Sequence, residues 1–125
     1  MARLTLRVDL GPDQAIGPGK IRLLEAVRDT GSISEAGRSL DMSYRRAWLL
    51  VDDMNRCFRE PVVTTQLGGK RGGGAALTRF GETVVEQYRG IERDAHAAAA
   101  KRLRALEASL QPPAKSKAKR RTVSR

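Results

Sequence analysis

The chain is poor in the residues that build metal and catalytic sites, with one cysteine and one histidine among 125 residues. Cys57 cannot form an intrachain disulfide. It is expected to be a small apolar residue packed on a helix, with a reactive thiol as the alternative. A closed zinc site needs four ligands, so none is expected. No serine lies near His96 in the pattern, and we therefore expect neither an enzyme nor a bound cofactor.

Long apolar runs are also missing from the sequence. No uninterrupted stretch approaches the roughly 18–20 apolar residues needed to cross a bilayer. Arg3 and Arg7 interrupt the N-terminus, where a signal peptide would need a solid apolar segment. A length of 125 residues fits one domain. The sequence therefore predicts a soluble single-domain protein of the cytoplasm, with no membrane partner.

Positive charge is abundant and unevenly distributed along the chain. The net charge is +10, yet acidic and basic side chains balance within residues 1–42 and again within 80–111. Residues 43–79 carry seven basic and three acidic side chains, and residues 112–125 carry six basic and none acidic. Because the ordered part of the chain concentrates its positive excess in one segment, we expect a polyanionic partner that contacts this segment.

The first half of the chain has the pattern of a helix-turn-helix. Strict alternation predicts a strand over residues 4–10, with its apolar side chains on one face, and a first helix follows over about 19–29. Ser32 is a good N-cap for a short second helix, because Glu35 stands three residues later as a capping box requires. The chain turns at Asp41 and Met42, and Ser43 caps a third helix that runs to about residue 58.

The second half predicts a hairpin and a long helix. Residues 62–67 are rich in β-formers, residues 68–74 form a glycine-rich tip, and residues 75–77 can return as a partner strand. Thr78 caps a helix over residues 79–110, about 48 Å long, which exceeds what so small a domain can cover. Its apolar stripe continues to the end, and the uncovered part is expected to pack on the same helix of a second chain.

These elements divide the chain into three predicted regions. Residues 1–78 form the winged helix-turn-helix, residues 79–111 the dimerisation helix, and residues 112–125 a disordered basic tail.

The third helix carries the candidate DNA-reading residues. Its apolar side chains gather in one sector, and Arg45 projects nearly opposite, flanked by Tyr44 and Arg46. An arginine fork can bond guanine O6 and N7 together or grip a phosphate; ordinary solvated arginines are the alternative. Ser43 and Tyr44 can donate to phosphate oxygens. Trp48 is expected to pack at the core or its rim rather than on the DNA backbone.

The glycine-rich tip carries Lys70 and Arg71. It fails as a nucleotide-binding loop, because the lysine is not followed by serine or threonine and no helix follows directly. Two cations at the tip of a flexible hairpin are better explained as a wing that reaches DNA, with a mere flexible connection as the alternative.

These features together resemble the N-terminal DNA-binding domain of the ModE family of molybdate-responsive transcription regulators. The resemblance rests on Gly31-Ser-Ile-Ser-Glu-Ala36, on Met42-Ser-Tyr-Arg-Arg-Ala-Trp48, on Met54-Asn55 and on the glycine-rich wing with Ala-Leu-Thr-Arg-Phe-Gly81 after it. The first half alone would also fit LysR-type regulators; the wing indicates the ModE type. The resemblance implies a winged helix that dimerises through its long helix on a palindromic operator. Carried over by position, it implies these DNA-contacting residues: Ser32, Ser34, Ser43, Tyr44, Arg45, Arg46, Lys70 and Arg71.

Members of that family continue into oxyanion-binding domains, whereas this sequence ends at Arg125, so no molybdate site is expected in it. Three alternatives follow: a constitutive regulator, one that receives its signal from a separate effector-sensing partner, or one whose targets are unrelated to molybdenum. The expected function is sequence-specific regulation of transcription as a nucleoid-associated homodimer on double-stranded DNA. Two alternatives stay open. One is an architectural DNA-binding protein whose basic tail supplies sequence-independent affinity, and the other is an adaptor whose long helix recruits proteins.

Overall fold

The computed structural model describes residues 2–66 and 74–112, which form a mostly helical winged helix-turn-helix. The elements in chain order are β1 (Val8–Gly11), β2 (Gln14–Ile16), α1 (Pro18–Thr30), α2 (Ile33–Ser39), α3 (Tyr44–Cys57), β3 (Val63–Gln66), β4 (Gly74–Leu77) and α4 (Arg79–Ala108). The helices, the two-stranded wing β3–β4 and the long last helix confirm the predicted fold. No helix in the described part of the chain is long and apolar enough to span a membrane.

The N-terminus differs from the prediction. The strand predicted over residues 4–10 is observed only as β1. It pairs antiparallel with β2, which lies between the predicted strand and the predicted first helix, where no strand was predicted. Pro12 and Asp13 form a turn that folds the chain back into this hairpin. Leu10, which the alternation places on the apolar face of the predicted strand, is 45% exposed. The preceding residues run alongside α4 instead of entering a sheet.

One apolar core joins α1, α3 and the first turns of α4. Within the described residues, no buried side chain is charged. The fully buried large side chains, each less than 2% exposed, are Tyr88, Ile21, Leu23, Leu24, Met54, Val27, Val51 and Val62. Burial of such a side chain contributes about 1.5–3 kcal/mol of stability, so this cluster is the main stabilising contribution to helix packing.

The turn between α2 and α3 is built for close helix contact. A Cβ on Gly37 would lie 2.9 Å from the Cβ of Ala47, so only a hydrogen lets α2 approach α3 this closely. The amide of Met42 donates to the Gly37 carbonyl at 2.8 Å. Asp41 has a φ of 59°, a left-handed conformation that Asp tolerates better than most residues. The turn predicted at these positions is confirmed.

The wing is attached to the first turn of α4. The Thr78 amide donates to the Val62 carbonyl at 2.9 Å, and the Thr78 hydroxyl donates to the Pro61 carbonyl at 2.8 Å. The same hydroxyl accepts from the Gly81 amide, which makes Thr78 the N-cap of α4. A Cβ on Gly81 would lie 2.3 Å from the Val62 carbonyl oxygen. The Thr and Gly of the motif that follows the wing therefore join hairpin to helix.

Candidate nucleic-acid interface

The start of α3 presents two uncompensated arginines. Ser43 caps the helix by accepting a hydrogen bond from the Arg46 amide at 3.0 Å, as predicted. Arg45 and Arg46 are exposed, and none of the ion pairs among the described residues includes them. Helix N-termini also carry partial positive charge from their free amides. The first turn of α3 is therefore a cationic surface without internal partners.

The carboxylates further along α3 are each matched to a cation. Asp52 accepts from Arg56 at 3.1 Å on the same helix. Asp53 accepts from the Lys20 ammonium of α1 at 2.7 Å. Because each of these carboxylates is paired with a nearby cation, their negative charges do not offset the positive charge of Arg45. The outer face of α3 thus changes from cationic at its start to roughly neutral in its later turns.

Tyr44 and Trp48 form a pair on the flank of α3. Their rings meet edge to face, with centroids 6.4 Å apart and planes at 78°. The indole N–H of Trp48 donates to the Tyr44 hydroxyl oxygen, which leaves the phenol proton of Tyr44 available to an outside acceptor. Trp48 is half-buried against the core, as predicted, whereas 57% of Tyr44 is exposed.

The predicted serines of α2 make local hydrogen bonds. Ser32 caps the helix by accepting from the Glu35 amide at 3.1 Å. Its own amide donates to the Thr30 hydroxyl, so the bond expected from Glu35 in a full capping box has a different partner. Ser34 accepts from the Arg38 guanidinium at 3.2 Å. Both serines are half-buried, and nothing in these contacts tests their assignment to DNA.

The base of the wing lies beside the start of α2. The Ala75 amide of β4 donates to the Gly31 carbonyl at 2.9 Å, one residue before Ser32. Strand β3 pairs with β4 in register from Val63 with Leu77 to Gln66 with Gly74. Lys70 and Arg71 lie outside the described residues, so their predicted contact with DNA stays a prediction.

Asn55 is a positioning residue, named in the resemblance but given no role by the sequence. Its side-chain oxygen accepts from the Val62 amide at 2.7 Å and from the Val63 amide at 3.2 Å. Its side-chain nitrogen donates to the Val63 carbonyl at 3.1 Å. These bonds fasten α3 to the first strand of the wing. The available signal was an asparagine, a weak helix former, near the inward face of a helix.

An ion-pair cluster joins α1 to α4. The Arg89 guanidinium donates to Glu25 of α1 at 2.8 and 3.0 Å. It also donates to Glu92, one turn along α4, at 2.6 Å. The hydrogen bonds to Glu25 and Glu92 raise the pKa of Arg89 above its ordinary value, so the charge is permanent. A two-pronged contact of this kind holds the long helix at a defined angle to the helix-turn-helix.

The N-terminal segment, residues 2–7, covers one side of α4. The Tyr88 hydroxyl donates to the Leu6 carbonyl at 2.6 Å, the Leu4 amide donates to Nε2 of His96 at 3.1 Å, and the Ala2 amide donates to Glu107 at 3.2 Å. Burial raises the pKa of the Tyr88 phenol. The N-terminal segment therefore covers part of the α4 stripe that was expected to pack on a second chain.

A second apolar side of α4 stays open in the single chain. Ile91 is 43% exposed and Leu106 is 68% exposed, and Ala98 and Ala105 between them are also exposed. Ile91, Ala98 and Ala105 recur every seven residues, the spacing at which helices pair along their length.

No protein-family model matches the chain, but several known proteins are similar to most of it. It is 41% identical over 92 residues to the molybdenum transport protein ModE of Azotobacter vinelandii, which covers 74% of this chain and 33% of that protein. It is 45% identical over 95 residues to the molybdenum-pterin-binding protein MopB of Rhodobacter capsulatus, covering 76% and 34%. It is 34% identical over 87 residues to the DNA-binding transcriptional dual regulator ModE of Escherichia coli strain K12, covering 70% and 33%. The chain thus spans about a third of the length of these relatives.

Proposed function

The chain is homologous to the ModE transcription regulators over 70% of its length, and from that premise we propose that it regulates transcription by binding duplex DNA sequence-specifically. The observation that carries the proposal is the cationic first turn of α3. Arg45 and Arg46 are exposed and without acidic partners among the described residues. A helix that begins with such a turn and exposes its outer face fits the major groove, where arginine forks recognise guanine.

In this proposal each predicted residue has a defined task. Arg45 and Arg46 read bases or bind phosphates. The free hydroxyl proton of Tyr44 and the hydroxyl of Ser43 contact the DNA backbone. Ser32 and Ser34, at the start of α2, contact the adjacent phosphates. Lys70 and Arg71 reach DNA from the wing, whose base lies beside Gly31.

The proposed active form is a homodimer on a palindromic operator. Support comes from α4, where Ile91, Ala98 and Ala105 form an exposed stripe with seven-residue spacing. A second copy of the helix would cover it, and the two-fold axis would present two copies of α3 to successive turns of DNA. Half-sites about 34–36 Å apart are the geometric consequence.

The test is selection of fragments from random DNA with the full chain, followed by binding measurements on the selected site. A palindromic consensus is expected. Arg45→Ala and Arg46→Ala should each cost about 1–3 kcal/mol of binding free energy and relax specificity at one position. Arg56→Ala is the matched control, because Arg56 is exposed on the same helix but already paired with Asp52. Wild-type affinity and discrimination in both test variants would refute the role of α3.

A sequence-independent architectural function is the second candidate, favoured by the six basic residues of the tail. Deletion of residues 112–125 separates the two. An architectural protein should lose most of its affinity, whereas a specific regulator should keep its preference for the selected site. Lys70→Ala should weaken binding to all sequences alike and lower the slope of log affinity against log salt by about one.

A further inference from the structure

A large apolar side chain stands exposed in the middle of the outer face of α3. Leu49 is 57% exposed. It lies one helical turn after Arg45, and Asp52 is the next residue along the same face. The other large exposed apolar residues of the described chain are Leu10, Tyr44, Ile91, Leu106 and Leu110. Those on α4 fit the proposed dimer, but Leu49 has no role in the core or in that dimer.

The surroundings of Leu49 form a shallow depression with an apolar floor. It is lined by Tyr44, Arg45, Trp48, Leu49 and Asp52 and has a volume of about 470 Å³. The Trp48 N–H is already bonded to Tyr44, and the Asp52 carboxylate is already paired with Arg56. The polar groups of Trp48 and Asp52 are thus occupied. The depression therefore offers an outside partner the hydrocarbon of Leu49 beside the cation of Arg45 and the available phenol proton of Tyr44.

We propose that Leu49 is a specificity-determining residue that recognises thymine by packing on its C5-methyl group in the major groove. This inference rests on the proposed function. The thymine methyl is the apolar group that base edges present in that groove, and small side-chain hydrocarbons recognise it by contact. Arg45 and Leu49 are separated by about 6 Å along the helix axis. Base pairs rise about 3.4 Å each, so the thymine lies one or two base pairs from the base or phosphate that Arg45 contacts.

The experiment replaces each thymine of the selected operator in turn by deoxyuridine, which lacks only the methyl group. The full wild-type chain should bind about fourfold more weakly when one particular thymine per half-site is replaced, the loss expected for one buried methyl. Leu49→Ala should bind thymine and deoxyuridine at that position equally. The control variant is Leu10→Ala, a similarly exposed leucine on β1, which should keep the full fourfold preference.

The outcomes separate the two ideas. If the protein selects an operator but no thymine responds to replacement, the role of Leu49 is refuted and the proposed function stands. The same holds if Leu49→Ala keeps the wild-type preference for the methyl. If Leu49→Ala weakens all DNA alike, or leaves DNA binding intact but abolishes binding of a protein partner, Leu49 does not read thymine. If no operator is selected, both ideas fail together. Leu49 is 57% exposed and lies outside the core, so Leu49→Ala should unfold within about 0.5 kcal/mol of wild type in thermal melts.

Discussion

The Asn55 side chain joins α3 to the start of the wing by three hydrogen bonds, and its removal tests how much this contact stabilises the fold. Asn55→Ala deletes three hydrogen bonds, two accepted from the Val62 and Val63 amides and one donated to the Val63 carbonyl. Val62 is completely buried and Val63 is 2% exposed. Water therefore cannot easily replace the lost partner.

The magnitude follows from these contacts. A typical hydrogen bond contributes about 0.5–1.5 kcal/mol net, and a buried donor left without a partner costs about 1–3 kcal/mol. Alanine returns up to about 0.7 kcal/mol through its higher helix propensity. The expected loss is about 2–4 kcal/mol. For a domain of this size, that loss lowers the melting temperature by about 10–20 °C.

Thermal and urea unfolding measure this loss directly. Arg56→Ala is the matched control, because the neighbouring side chain is exposed and its pair with Asp52 lies at the surface; its effect should stay within about 0.5 kcal/mol. Asn55→Asp keeps the acceptor but sets a carboxylate oxygen against the Val63 carbonyl. It should be destabilised at neutral pH and partly recover in acid, where a protonated acid can donate again. If Asn55→Ala unfolds like Arg56→Ala, the reasoning is wrong.

Two further predictions concern α4. Gly81→Ala should lose about 1–3 kcal/mol of stability, because its Cβ would lie 2.3 Å from the Val62 carbonyl oxygen. Gly90→Ala on the same helix, whose Cβ would meet nothing nearer than 3.7 Å, should gain about 0.5–1 kcal/mol; equal effects in thermal melts would contradict the close contact. Tyr88→Phe should lose about 1 kcal/mol with its hydrogen bond to Leu6. Because burial raises the pKa of Tyr88 in the folded state, its contribution is present below pH 10 and declines above it. Between about pH 8 and pH 11 the melting temperature should therefore fall more steeply with pH for wild type than for Tyr88→Phe. Parallel curves of melting temperature against pH would contradict this.

Local patterns predicted the helices well. Ser32, Ser43 and Thr78 cap the helices that they were predicted to cap, because an N-cap interacts with an amide only three residues away. The inward face of α3 is likewise set by residue spacing within one helix. The β1–β2 hairpin was missed, because a strand of three residues is too short to show a period. Alternation likewise places Leu10 on the apolar face of a strand, but it does not indicate whether another element covers that face, and Leu10 is 45% exposed.

The candidate site also has features that residue order predicted and features that it did not. The exposed position of Arg45 and Arg46 follows from the helical period and was available from residue order. The role of Asn55 was not available, because its partners belong to a strand reached only after the chain has turned. Leu49 was also overlooked as a candidate, since the wheel shows it facing outward but not the occupied polar groups of Trp48 and Asp52 beside it.

Residue order alone determined the succession of capped helices, the turn at Asp41 and the cationic start of α3, because each depends on forces between groups a few residues apart. The folded chain decided three things that no local pattern contains. The N-terminal segment lies on α4, Arg89 joins α4 to Glu25 of α1, and Gly81 lets the wing touch the long helix. Each of these contacts connects residues far apart in the chain, so it exists only once the core has brought their elements together.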